Sequence, residues 1–190
     1  MAKVQFDRQT VLDKATSLFW RVGYSATSMQ ALFEVTGLKP GSVYLAFGNK
    51  EGLFKESIDF YAQSSITNLK NKFNQKQGVE QTICEILLSF VEESAQAGYC
   101  SCFLLKSQLE LDEQSGLREY ISSYLATIEG IYAEQLAALY SEDEAKQKAA
   151  SIMLHIFGLR VYGYHSNSEA QIINGLRLGL HWLPWNNFDH

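Results

Sequence analysis

Two glycines and one proline divide the stretch Thr27–Phe54 so sharply that few folds stay open to it. Thr27 with Gln30 three residues on has the spacing of a capping box, in which hydroxyl and side-chain amide satisfy orphan backbone donors reciprocally. Ala31, Leu32 and Val35 continue as an apolar stripe at helical spacing. Gly37 falls where the helix must stop in a left-handed conformation that costs any residue with a Cβ, and Leu38 is placed to plug the corner. Pro40 suits the first turn of a second helix, where its missing N–H loses no bond. Val43 and Phe47, four apart, predict an inward face, which turns Tyr44 and Leu45 outward. Gly48 ends this helix, and Asn49 is placed to cap a third that begins at Lys50. This is the layout of a helix-turn-helix, over about residues 27–47, which offers one short helix to the DNA major groove.

That layout assigns roles. Tyr44 and Lys50, a phenol and an ammonium, are expected to hold phosphates without reading bases. Thr27 and Ser28, with the free N–H groups of their helix start, add a further phosphate contact. Base reading falls to the first turns of the second helix, at Lys39, Gly41, Ser42 and Leu45. Lys39 is the hydrogen-bonding reader, unless it is a solvated surface lysine.

The net charge of −5 at first argues against double-stranded DNA as a partner, but its distribution does not. Residues 1–56 carry seven cations (Lys3, Arg8, Lys14, Arg21, Lys39, Lys50, Lys55) and five acids, leaving the remainder at −7. A weakly positive head on an acidic body orients the head toward DNA. One such head binds weakly, so tight binding calls for a dimer to double the phosphate contacts.

The residues Gly23-Tyr24, Thr27-Ser28-Met29, Gly37-Leu38, Gly41-Ser42-Val43-Tyr44, Phe47-Gly48 and Lys50-Glu51-x-Leu53-Phe54 together resemble the TetR family of bacterial transcription regulators. The likeness covers about the first fifty-six residues, including a helix from about Arg8 to Val22. It implies an all-helical homodimer that binds a palindromic operator, usually as a repressor, and lets go on binding a small molecule. Many relatives carry an aromatic residue and a histidine where this chain has Leu45-Ala46. The departure removes polar donors, so Leu45 is expected against a thymine methyl. The effector is not carried by the resemblance.

The chain reads as all-α, about nine helices in all. A three-helix DNA-binding head, 1–56, precedes a larger effector-binding and dimerisation body, 57–190. Only Pro40 and Pro184 interrupt it, and 46% hydrophobic content is ample for a core. Past the head, helices are expected over Asn49–Lys72, Val79–Ala97, Cys102–Leu111, Gly116–Tyr140, Ser141–His165 and Ser168–Leu183. Ser141-x-x-Glu144 and Ser168-x-x-Gln171 are capping-box patterns. The last two helices are more apolar than one buried face requires. Ile152, Ile156, Leu159, Ile172, Leu176 and Leu180 are therefore the expected dimer interface, unless they complete a monomeric core. Gly158, Gly163, Gly175 and Gly179 would let backbones approach.

Cys84, Cys100 and Cys102 read either as small buried hydrophobes or, for Cys102, as a sensing thiol. The run Cys102-Phe-Leu-Leu-Lys-Ser-Gln-Leu-Glu looks like a segment of one TetR branch in which a cysteine opens a short helix and, in some members, senses oxidants or electrophiles. A helix start stabilises thiolate. Among the histidines His155, His165, His181 and His190, His155 can line a cavity or satisfy a core hydrogen bond. Tyr99, Phe103, Tyr124 and His155 join Cys102 as the candidate effector or redox site. The spacing suits no metal, and no cofactor is expected. Two further readings stay open: an enzyme pairing Cys102 with a histidine, and an architectural DNA-binding dimer without effector. No apolar stretch is long enough for a membrane and the N-terminus shows no signal-peptide pattern, so a cytoplasmic, non-enzymatic regulator is expected.

Overall fold

The computed structural model describes residues 6–75, 78–112 and 116–188, so Lys3 and His190 lie outside the described residues. Nine α-helices occur among them: α1 Arg8–Val22, α2 Met29–Thr36, α3 Pro40–Phe47, α4 Lys50–Phe73, α5 Val79–Ser94, α6 Phe103–Glu110, α7 Gly116–Leu136, α8 Glu142–Tyr162 and α9 Glu169–Gly179. A short 3-10 turn follows at Trp185–Phe188. No strand occurs among the described residues, and no helix there is long and apolar enough to cross a membrane. The chain is all-α, as expected.

Two compact units form, one from residues 1–65 and 103–123, the other from 66–102 and 124–190. The boundary drawn from sequence at residue 56 falls inside α4, and the first unit takes in α6 and the start of α7.

The first unit is built around Val11, Ala15 and Phe19 of α1, Leu32 of α2, Val43 and Phe47 of α3, and Leu53, Phe54 and Ile58 of α4, all buried. Aromatic rings tie α6 into this core. Phe54 meets Phe19 edge-on at 5.0 Å and Phe103 at 5.8 Å, and Tyr61 meets Trp20 at 5.1 Å and Phe103 at 5.6 Å. Such offset and edge contacts stabilise beyond the area they bury.

The second unit centres on Ile83, Ile86 and Leu87 of α5, Tyr132 and Leu136 of α7, Ile152 and Ile156 of α8, and Ile172 and Leu176 of α9. Ser141 caps α8 as expected, its hydroxyl accepting from Glu144 N at 3.3 Å. Ser168 does not act as the second capping-box residue. Its backbone is already helical (φ −92°, ψ −2°), and its buried side chain accepts no bond from the first turn of α9. The far ends of α5, α7, α8 and α9 fall three or four residues short of the expected limits. After α9 the chain turns at Leu180, whose carbonyl accepts from Trp185 Nε1 at 2.8 Å. That bond satisfies a carbonyl the helix leaves open.

Candidate nucleic-acid interface

α3 is pinned from below and left open above. Val43 and Phe47 are buried, whereas Leu45 is 87% exposed and Tyr44 about half. Gly37 takes the left-handed conformation (φ 73°, ψ 10°) that lets α2 stop and the chain turn into α3. Lys39 stands at the N-cap of α3 with its side chain exposed and unused as a cap, and Pro40 opens the helix. Gly41 is exposed beside it and Ser42 half-buried. The outer face therefore presents a cation, a phenol and a bare leucine within two turns. Tyr44 is steadied edge-on by Phe33 at 6.0 Å.

The start of α2 differs by one residue from its expected form. Ser28, not Thr27, is the cap: its hydroxyl accepts from Ala31 N at 3.1 Å, while Gln30 reaches Glu34 instead of closing a box. Thr27 is buried, and its hydroxyl donates back to the Gly23 carbonyl at 2.5 Å. Ser28 is the exposed hydroxyl at this helix start; Thr27 braces it from inside.

Lys50 is half-buried rather than free. Its ammonium donates to Thr27 O at 2.9 Å and to Ser25 O at 3.4 Å, and lies 4.5 Å from the Tyr24 ring centre. It thus ties α4 to the start of α2 and brings positive charge to the edge where Ser28 lies. Asn49 caps α4 as expected, accepting from Gly52 N at 2.8 Å. Arg8, counted above with the head's cations, is held by Glu56 at 2.5 Å and stacks over Phe47.

The sensing residues are divided between the units, Phe103 in the first and Tyr99, Cys102, Tyr124 and His155 in the second. Phe103 belongs to the aromatic core of the first unit. His155 lies on α8 with Nδ1 2.7 Å from Ser151 O, and its ring fills the space a Cβ on Gly179 would need, 1.8 Å from Nε2. Tyr99 donates to Arg160 O at 3.1 Å and packs on Tyr164, and Tyr124 is half-buried on α7.

Cys102, half-buried just before α6, has Arg160 as an electrostatic neighbour. Arg160 is a buried guanidinium set over Phe90 at 4.0 Å and ion-paired to Glu93 at 2.8 Å. Its Nε is buried with no hydrogen-bond partner among the described residues. Burial opposes its charge, but Glu93 outweighs that and holds its pKa above the usual value. No group of three or more His, Cys, Asp or Glu among the described residues is placed to hold a metal.

Cys84 is the inert thiol. Burial, then the carboxylates of Glu80 and Glu85, push it up to about 12. A maleimide at neutral pH should therefore label Cys100 and Cys102 in the folded protein and reach Cys84 only after denaturation. Peptide mass spectrometry checks this, and labelling of native Cys84 at the denatured rate would contradict it.

The six expected interface residues are buried inside their own unit, from 0% exposed at Ile152 to 8% at Ile156. They form its core and are not open to a partner. The apolar surface that α8 and α9 do leave open is another one. It holds Leu154 (70% exposed), Val161, Tyr162 and Leu178 (81%). Between these helices runs a groove of about 440 Å³ lined by Leu154, His155, Gly158, Tyr162, Gly175 and Leu176. Gly158 and Gly175 have open space where a Cβ would stand, whereas Gly163 and Gly179 lie against Ser94 and His155.

Residues 11–57 match the family described as bacterial regulatory proteins, tetR family. Over 116 residues the chain is 35% identical to the HTH-type transcriptional repressor ComR of Escherichia coli (strain K12), 58% of this chain and 54% of that one. It is 27% identical over 112 residues to the repressor BdcR of the same organism, 58% of this chain and 57% of that one. The chain spans about half the length of these relatives. Its fold matches a cysteine mutant of the TetR family transcriptional regulator CifR, complexed with 26bp double-strand operator DNA. The TM-score is 0.81 at 22% identity, over 95% of this chain and 98% of that one. It also matches the reduced form of E. coli NemR, at TM-score 0.74 and 13% identity, over 90% and 94% of the two chains. With the helix-turn-helix in place, residues 11–57 are similar to the DNA-binding head of the bacterial regulatory proteins of the tetR family, and the fold as a whole matches solved members of it.

Proposed function

We propose that the protein is a cytoplasmic transcriptional repressor that binds a palindromic DNA operator as a homodimer. The observation that carries this reading is the outer face of α3, where Lys39, Tyr44 and Leu45 stand exposed on a helix fixed by Val43 and Phe47. Lys39 reads a base edge, Leu45 meets a thymine methyl, and Gly41 and Ser42 let the helix start come close. Tyr44 and Ser28 hold phosphates, with Lys50 adding charge at the same edge. Residues 1–56 form the head, and the remainder carries the effector site and the dimer contact. The named relatives are repressors, which favours repression over an architectural role.

Release follows either a small-molecule effector or oxidation or alkylation of Cys102. The support for Cys102 is its place just before α6, half-buried, with the buried Arg160 guanidinium as an electrostatic neighbour. An enzyme pairing Cys102 with His155 is disfavoured, because the His155 ring is committed to Ser151 and the space over Gly179.

Selection from random duplexes tests the main reading and should return a palindrome with half-sites about one helical turn (~34 Å) apart. Lys39→Ala should relax preference at particular base pairs by about 1–3 kcal/mol, whereas Tyr44→Phe should weaken operator and random DNA alike. Failure to enrich any sequence would sink the reading. A Lys39→Ala variant with the parent's base preferences would remove Lys39 from it.

A further inference from the structure

The turn that leads into α2 is gripped from both sides by charged groups distant in sequence. On one side Glu110, the last residue of α6, accepts from two consecutive backbone donors, Tyr24 N at 2.8 Å and Ser25 N at 2.7 Å. On the other side Lys50 takes the carbonyls of Ser25 and Thr27. Lys106, one helical turn before Glu110 and so on the same face of α6, donates to Trp20 O at 2.7 Å near the end of α1. That is where a helix dipole favours a cation. Gly23 makes the approach possible: its φ is +94°, and a Cβ there would lie 2.9 Å from Glu110 Oε2. Hydrogen bonds with one charged partner are roughly twice as strong as neutral ones.

The geometry points to Lys106 and Glu110 as positioning residues for DNA binding. Through them α6 fixes the path of the chain from α1 into α2, and with it the seat of α3. Neither side chain touches DNA in this scheme. The inference rests on the operator-binding reading above and adds the element that sets operator affinity from outside the helix-turn-helix.

Full-length Glu110→Ala, Glu110→Gln and Lys106→Met variants test it, each titrated with the selected operator and with random duplex over a range of salt. Glu110→Ala should weaken operator binding about tenfold or more, the expected loss for two hydrogen bonds to a charged group. Glu110→Gln, which keeps one oxygen acceptor, should fall between Ala and the parent. Random-duplex affinity and the salt slope should stay at the parent's values, because no phosphate contact is removed. A folded Glu110→Ala dimer that binds operator within about twofold of the parent overturns the proposal. Equal losses on operator and random DNA, together with a lowered melting temperature, also overturn it, since they mark packing alone. If Glu110→Ala does not fold, Glu110→Gln and Lys106→Met are judged by the same criteria. A parent protein that selects no sequence instead defeats the operator reading.

Discussion

Replacing Leu154 and Leu178 together by Asp is expected to leave a folded monomer that no longer binds operator tightly. Both leucines stand mostly in solvent, at 70% and 81% exposure; Leu154 lines the groove between α8 and α9, and Leu178 lies on α9. Burying a leucine contributes roughly 1.5–3 kcal/mol, and in a twofold interface every substitution is counted twice. Four leucines lost, with four carboxylates pressed into an apolar contact, should weaken dimerisation by about a thousandfold or more. Sedimentation at micromolar concentration measures the state, and operator titration reads the consequence, since a lone weakly positive head makes too few phosphate contacts. The buried residues of the same helices behave differently. Leu176→Ala should cost about 2–5 kcal/mol of unfolding free energy while the dimer persists. A Leu154→Asp, Leu178→Asp protein that still sediments as a dimer would place the contact elsewhere.

Phe54→Ala should have the largest effect on the fold. Phe54 is fully buried, and its ring meets Phe19 of α1, Tyr24 in the turn after it, and Phe103 of α6. Truncating such a side chain costs about 3–5 kcal/mol, and for a chain of this size that lowers the melting midpoint by roughly 6–20 °C. The loss should fall on the first unit, because three of its elements share this ring. Hydrogen exchange should rise in α1 and α6 more than in α5 or α8. A melting midpoint within about 3 °C of the parent would show that the surrounding rings close the gap.

The head was legible because its signals are local. Gly37, Pro40, Gly48 and Asn49 each act within a turn of themselves, so spacing alone placed the end of α2, α3 and the start of α4, whereas α1 came with the family resemblance. The cap of α2 was misread by one residue for the same reason. Thr27 and Ser28 are both competent, and the choice depends on Gly23 offering its carbonyl to Thr27. In α8 and α9, periodicity identifies apolar faces but not what covers them. Ile152 and Ile156 fit a monomer core and a dimer contact equally well on paper. Only packing shows that the core takes them and leaves Leu154 and Leu178 outside. Glu110 carried no signal at all, since its partners Tyr24 and Ser25 lie more than eighty residues away and are backbone groups. Arg160 was equally silent, as a lone basic residue in the apolar second half of α8.

The bracing of Lys50 bears on when disorder is lost. A free lysine on a surface samples many rotamers and must surrender them as it meets an anion, at a cost of up to about 2 kcal/mol. Here two backbone carbonyls and the Tyr24 ring have already chosen one arrangement. That entropy is surrendered during folding, before any phosphate arrives. An anion reaching this edge meets a charge that is already still. The corollary is that Lys50→Arg, which keeps the charge but not the fit to Ser25 and Thr27, should not act as a conservative change.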